Sequence, residues 1–192
     1  AGPVLLALAM GIYQAYVTLA IGLALLAVLR ETLEPSATFP KTLRLGLRFV
    51  LHLAVGAVLY YAVLMVFLKV KGLELLSYLG MDAASSGYPI GQLPRLILSA
   101  YWQAAAFFFK PGSANAFATG WMAVLDLAAL AVGAACFLAR VGSKRLKGEP
   151  WRLVGGLCMA ALLPLGLNFM RVLSPYSDPT PLMKYSFVLV YG

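Results

Sequence analysis

The sequence predicts an all-α membrane protein: a polytopic bundle of four full transmembrane helices and one partial span, with an outward interfacial amphipathic helix. Three observations predict it. Apolar residues make up 62% of the chain and charged residues only 11%, with a mean hydropathy of +0.87. A water-soluble domain runs at about 45–50% apolar and about 25% charged. The apolar residues also fall in runs long enough to cross a bilayer, which takes roughly 20 helical residues at about 1.5 Å each. Finally, Lys and Arg gather between those runs, so the net charge of +8 reads as topology rather than as a nucleic-acid surface.

Span one is expected over residues 4–29, because residues 1–29 contain no charged side chain. Its centre holds Tyr13-Gln14-Ala15-Tyr16, an amide and two phenols where lipid offers no hydrogen bond. Such groups should face protein, water or a ligand. Span two, about residues 49–70, follows Lys41, Arg44 and Arg48 and ends at Lys69 and Lys71. It carries the single histidine, His52, near its inner end. That position suits interfacial or helix packing and gives no support to a Ser-His-Asp hydrolase.

The outer segment, residues 71–118, contains an amphipathic pattern over residues 92–109. Gln92, Arg95, Ser99 and Gln103 form one stripe, and Leu93, Ile97, Ala100, Tyr101, Ala104 and Phe108 the other. Pro94 stands near its start, where a missing amide is tolerated. An interfacial helix roofing the bundle is the expectation. Span three, about 120–139, contains Asp126, and span four covers about 153–170. A proline-stiffened connection, residues 171–184, leads to a partial span over 185–192. All spans are read as helices, because open backbone in lipid leaves polar groups unsatisfied. The chain begins without Met or a basic leader and ends inside an apolar run, so a single transmembrane domain (residues 1–192) cut from a longer membrane protein is expected.

Of the 15 Lys and Arg residues, nine lie in two short connections: Arg30, Lys41, Arg44 and Arg48, then Arg140, Lys144, Arg145, Lys147 and Arg152. The remaining Lys69, Lys71, Arg95, Lys110, Arg171 and Lys184 occupy connections together about twice as long. The positive-inside rule places the first pair of connections in the cytoplasm. Segments 71–118 and 171–184 then face outward.

Motifs of soluble enzymes (Walker loop, GxGxxG, HExxH, GxSxG) are missing. Cys136 and Cys158 lie inside apolar spans without metal-ligand spacing, so neither metal nor cofactor is expected. Asp126 is an acid within a span and a functional candidate; its structural alternative is a bond to Gln14 or Arg171. Arg171 and Lys184 frame the second outward connection. Two cations at that depth suit a phosphate, or else anchor the chain at the interface. Asp178, before Pro179, is a supporting residue or a turn former. Tyr78 and Asp82 follow span two and combine an aromatic with a carboxylate, a pairing that suits a sugar ring and is also common in plain loops.

Three ordered segments, Gly11-Ile12-Tyr13-Gln14-Ala15-Tyr16, Leu76-Ser77-Tyr78-Leu79-Gly80 and Met183-Lys184-Tyr185-Ser186-Phe187-Val188, resemble the O-antigen-modifying type II glucosyltransferases. These are polytopic bacterial membrane enzymes of the GT-C kind, and the resemblance covers the central-to-late part of a typical member. It implies a glycosyltransferase of the bacterial inner membrane that takes glucose from a polyprenyl-phosphate carrier in the periplasm. The acceptor would be a cell-surface polysaccharide such as O-antigen, a lipopolysaccharide modification. It further implies that Tyr13, Gln14 and Tyr78 line the cavity, with Arg171 or Lys184 near the carrier phosphate. The catalytic acid of such enzymes lies in a first outer loop that would precede Ala1, which leaves Asp126, Asp178 and Asp82 as the candidates within this chain. At the late motif Lys184 stands where an Arg is usual, giving a point charge in place of a planar fork. Two other readings stay open. One is a lipid-linked saccharide flippase or transporter. The other is a non-catalytic scaffold in which Tyr13 and Gln14 only hold helices together.

Overall fold

Polar backbone in lipid must be satisfied within its own segment, and every regular element described in this chain is helical. The computed structural model describes residues 1–73, 90–110, 120–142, 149–173 and 181–191. Tyr78, Asp82 and Asp178 lie outside the described residues. Seven α-helices follow in order: α1 (Gly2–Ile12), α2 (Tyr16–Leu33), α3 (Phe39–Lys71), α4 (Leu93–Phe109), α5 (Trp121–Val141), α6 (Pro150–Leu167) and α7 (Phe169–Leu173). Short 3-10 helices cover Ile90–Gln92 and Pro181–Tyr191. Among these, α2, α3, α5 and α6 are long and apolar enough to cross a membrane.

The first expected span is corrected. Residues 4–29 do not form one helix; the chain breaks at Tyr13, which is extended (φ −156°, ψ 116°). Beyond the break, α2 runs back beside α1. Gly2 and Leu6 share a groove with Ala20, Leu23, Ala24 and Ala27, the order of an antiparallel hairpin. Along α3, Gly2 faces His52, Leu6 faces Gly56 and Gln14 reaches Tyr60, so α1 and α3 run the same way. Helix α2 runs opposite, with Glu31 of its last turn paired to Lys41 at 2.8 Å. The physical reason lies in the side chains at the break. A straight helix would hold the Gln14 amide and two phenols in lipid, whereas the turn carries them onto α3 and the 181–191 segment.

Small residues let α2 and α6 approach closely and antiparallel: Gly22 lies under Leu167, Gly166 under Ile21 and Leu25, and Gly155 against Thr32. Helix α3 ends at Gly72, whose left-handed φ of 62° lets the Leu73 amide bond back to the Leu68 carbonyl at 3.0 Å. The expected fourth span is also divided, since α6 stops at Leu167 and α7 starts after Asn168. The expected partial fifth span is a 3-10 helix rather than an α-helix.

The described residues of the two basic connections meet at one end of the bundle. Arg152, at the start of α6, is 4% exposed, and its Nη2 donates to the carbonyls of Pro35 (3.0 Å) and Ala37 (2.7 Å). Its Nε lies 2.9 Å from Glu149 Oε2 but off the N–H direction, an ion pair without a hydrogen bond. Arg140, near the end of α5, shares a cleft with Arg30 and Glu31 of α2 and with Glu34 just beyond it. The opposite end gathers the turn at residues 13–15, α4, α7 and the 181–191 segment around a core of Met10, Ala15, Val17 and Met170.

Helix α4 buries Leu96, Ala100 and Ala104, and turns Ser99 and Gln103 toward α7 and the end of α6. Leu98 (71%), Trp102 (71%) and Phe109 (67%) stand exposed on one stripe. Arg95 is exposed on the same side, so the outward face of α4 is amphipathic, apolar with a charge near its start.

Candidate functional site

The end of the bundle remote from Arg152 holds a set of polar side chains that the fold itself brings together. The hairpin turn is tight. Tyr13 still caps α1 through its amide to Ala9, and the amides of Tyr16, Val17 and Thr18 bond three residues back, to Tyr13, Gln14 and Ala15, at 3.0–3.2 Å. The Thr18 hydroxyl doubles the last bond, donating to Ala15 O at 2.7 Å. This pins the turn and aims Gln14 at α3, where its Nε2 donates to Tyr60 Oη at 2.5 Å. Gln14 Oε1 is buried and has no hydrogen-bond partner among the described residues.

Around the amide stand aromatic rings set edge to face. Tyr13 and Tyr16 lie 6.0 Å apart at 89°, and Tyr16 and Tyr185 lie 5.8 Å apart at 76°. Tyr185 is held from behind. Its neighbour Ser186 donates to the Leu167 carbonyl at 2.8 Å, one of the carbonyls a helix end leaves free. Phe187 is fully buried between Phe107 and Phe108. The Tyr185 hydroxyl is nonetheless buried without a hydrogen-bond partner among the described residues.

Beside this cluster, the break after α6 serves a second purpose. Asn168 turns its amide into α4, donating to Ala100 O (3.0 Å) and Gln103 Oε1 (3.3 Å). Arg171, one turn on, reaches Ser99 Oγ at 3.1 Å through Nε. Lys184 is half-buried and directly precedes Tyr185. Both cations therefore flank residues of one core, Met170 on one side and Tyr185 on the other.

Of the candidates read from sequence, Tyr13, Gln14, Arg171 and Lys184 come to this end. Asp126 is half-buried in α5, a helix that adjoins α4 and the 181–191 segment, and makes no ion pair or hydrogen bond with a described residue. The suggested bond from Asp126 to Gln14 is replaced by the bond from Gln14 to Tyr60. Tyr78, Asp82 and Asp178 lie outside the described residues. Tyr60, Asn168 and Tyr185 are additions from the structure. The first two carry the signal that marks Gln14, a polar side chain inside an apolar run, but sequence does not say what they face. His52 donates from Nδ1 to the Arg48 carbonyl at 2.6 Å on its own helix, far from the cluster. Among the described residues no group of His, Cys, Asp and Glu could hold a metal ion.

The arrangement offers a hydroxyl-binding amide, four phenols and two cations at the end away from most of the basic connections. A family model described as "Glucosyl transferase GtrII" matches residues 1–191. No curated protein and no solved structure matches the chain.

Proposed function

The chain belongs to the glucosyl transferase GtrII family, and on that premise we propose that it moves glucose from a polyprenyl-phosphate carrier to a cell-surface polysaccharide such as O-antigen. The reaction takes place on the periplasmic side of the bacterial inner membrane, on a GT-C-like membrane scaffold. The observation that carries this reading is the gathering of Tyr13, Gln14, Tyr60 and Tyr185 beside Arg171 and Lys184, at the end opposite Arg152.

In the transfer, the bond from the anomeric carbon to the carrier phosphate breaks and its electron pair leaves with the phosphate. An acceptor hydroxyl forms the new bond and gives its proton to a base. Arg171 and Lys184 stabilise the phosphate charge as it grows, Arg by its fork and Lys as a point charge. The amide and phenols hold the sugar by hydrogen bonds and apolar ring faces. Within this chain the candidate bases are Asp126, Asp178 and Asp82.

The full-length protein, assayed for transfer from polyprenyl-phosphate glucose, should lose about a hundredfold or more of its rate with Arg171→Ala, and a smaller factor with Tyr78→Ala. Unchanged transfer in both variants overturns the site assignment. Absence of transfer by the wild type overturns the function.

A transport reading gains one point from the broken helix at residue 13, a device found in transporters. The break carries no charge, since Tyr13, Gln14 and Ala15 are neutral. Passage of the intact lipid-linked sugar without release of carrier phosphate would favour transport over transfer.

A further inference from the structure

We infer that Gln14, Tyr60 and Tyr185 form a subsite that reads one hydroxyl of the transferred sugar ring, and so set which sugar is taken. This rests on the glycosyltransferase reading above and adds to it a residue-level account of specificity.

Two polar atoms of one cluster, Gln14 Oε1 and Tyr185 Oη, are buried and unbonded. Each such atom carries an uncompensated desolvation cost while it stays unpaired. Neither side chain is free to find relief elsewhere. Gln14 is tied to Tyr60. The ring of Tyr185 rests against Tyr16, and its backbone is fixed by the bond from Ser186 to Leu167. Turning the Gln14 amide over would not help. The Tyr60 hydroxyl can donate or accept, so either orientation leaves one amide heteroatom unpaired.

The amide oxygen needs a donor, while the phenol takes a donor or gives its own proton to an acceptor, so one group that can do both suits the pair. A hydroxyl does this. A phosphate, rich in acceptors only, would oppose the amide oxygen, and its natural partners are the cations at Arg171 and Lys184. The surrounding rings of Tyr13, Tyr16, Tyr60 and Tyr185 add apolar edges of the kind that suit the C–H faces of a pyranose. These residues are half-buried rather than sealed, so a ring can reach the orphan atoms by parting edge-on contacts. A purely structural amide would be expected to have both heteroatoms bonded.

The test uses the full-length protein in liposomes with polyprenyl-phosphate glucose and with deoxyglucosyl donors that each lack one ring hydroxyl. The wild type should lose about ten- to a hundredfold in kcat/KM for one deoxy donor and little for the others. Tyr185→Phe should lose about tenfold with glucose and lose nothing further with that same deoxy donor, with the KM for acceptor unchanged. Gln14→Met, close in size, provides the same comparison should Tyr185→Phe fold poorly. Equal losses for wild type and variants across every deoxy donor, or a change confined to acceptor KM, overturn the inference while glucose transfer by the wild type stands. Absence of transfer by the wild type would instead overturn the underlying function.

Discussion

Arg152 has a buried guanidinium that spends its strongest contacts on two backbone carbonyls, Pro35 O and Ala37 O. A charge in that position stabilises the chain only while its partners stay in place. Arg152→Ala strips both carbonyls of a donor at once, and the expected loss is about 2–4 kcal/mol. In detergent this should read as a Tm lower by roughly 5–15 °C. Arg152→Lys should recover part of that, because an ammonium has three donors and can serve both carbonyls, but its shorter side chain gives up the Nε contact with Glu149. An unchanged Tm for the alanine variant would mean that water already serves those carbonyls. At the same scale, Gln14 shows how far one residue can be read. A polar amide in an uncharged run announces that it faces something other than lipid; that its partner is Tyr60 depends on a turn the amide itself helps to make.

The hairpin of α1 and α2 is where element-level reading departs most from the fold. Hydropathy identifies the four long apolar helices because lipid forces helical structure on any such run. It cannot locate the break at Tyr13, since three neutral residues barely lower the average of the apolar residues around them. Nor does it distinguish a 3-10 helix from an α-helix over Pro181–Tyr191. The polar stripe of α4 was legible from Ser99 and Gln103. Its direction was not, because the same stripe faces water in one solvent and protein in another. Crosslinking tests the hairpin directly. A Cβ at position 56 would lie 3.1 Å from Leu6 Cβ, and a disulfide needs about 3.5–4.5 Å. With Cys136 and Cys158 replaced by Ser, the pair Leu6→Cys and Gly56→Cys should oxidise readily, leaving the chain joined after cleavage at a protease site placed in residues 34–38. An unbroken helix would instead carry Leu6 roughly 15 Å past Tyr16, level with Val70. Preferential joining of Leu6→Cys to Val70→Cys would therefore refute the hairpin.

At the scale of the whole molecule, the fold separates two ends. One holds Arg152, Arg140, Arg30 and the pair of Glu31 with Lys41. The other holds the tyrosine cluster with Arg171 and Lys184. Orientation in the membrane is the remaining prediction, and exposed residues at each end suit it. In the same cysteine-free background, a maleimide that cannot cross membranes should label Gln92→Cys in cells with a permeable outer membrane. Ser36→Cys should react only after the inner membrane is opened. The reverse pattern would invert the topology. The way α4 is seated has a further consequence for traffic into the site. Swinging that helix outward would pull Asn168 from Ala100 and Gln103, and Arg171 from Ser99. Each of those bonds would have to be remade elsewhere, so the movement carries a cost. Helix α4 is thus held as a wall rather than a door, and a donor of the proposed lipid-linked kind would arrive past another seam of the bundle.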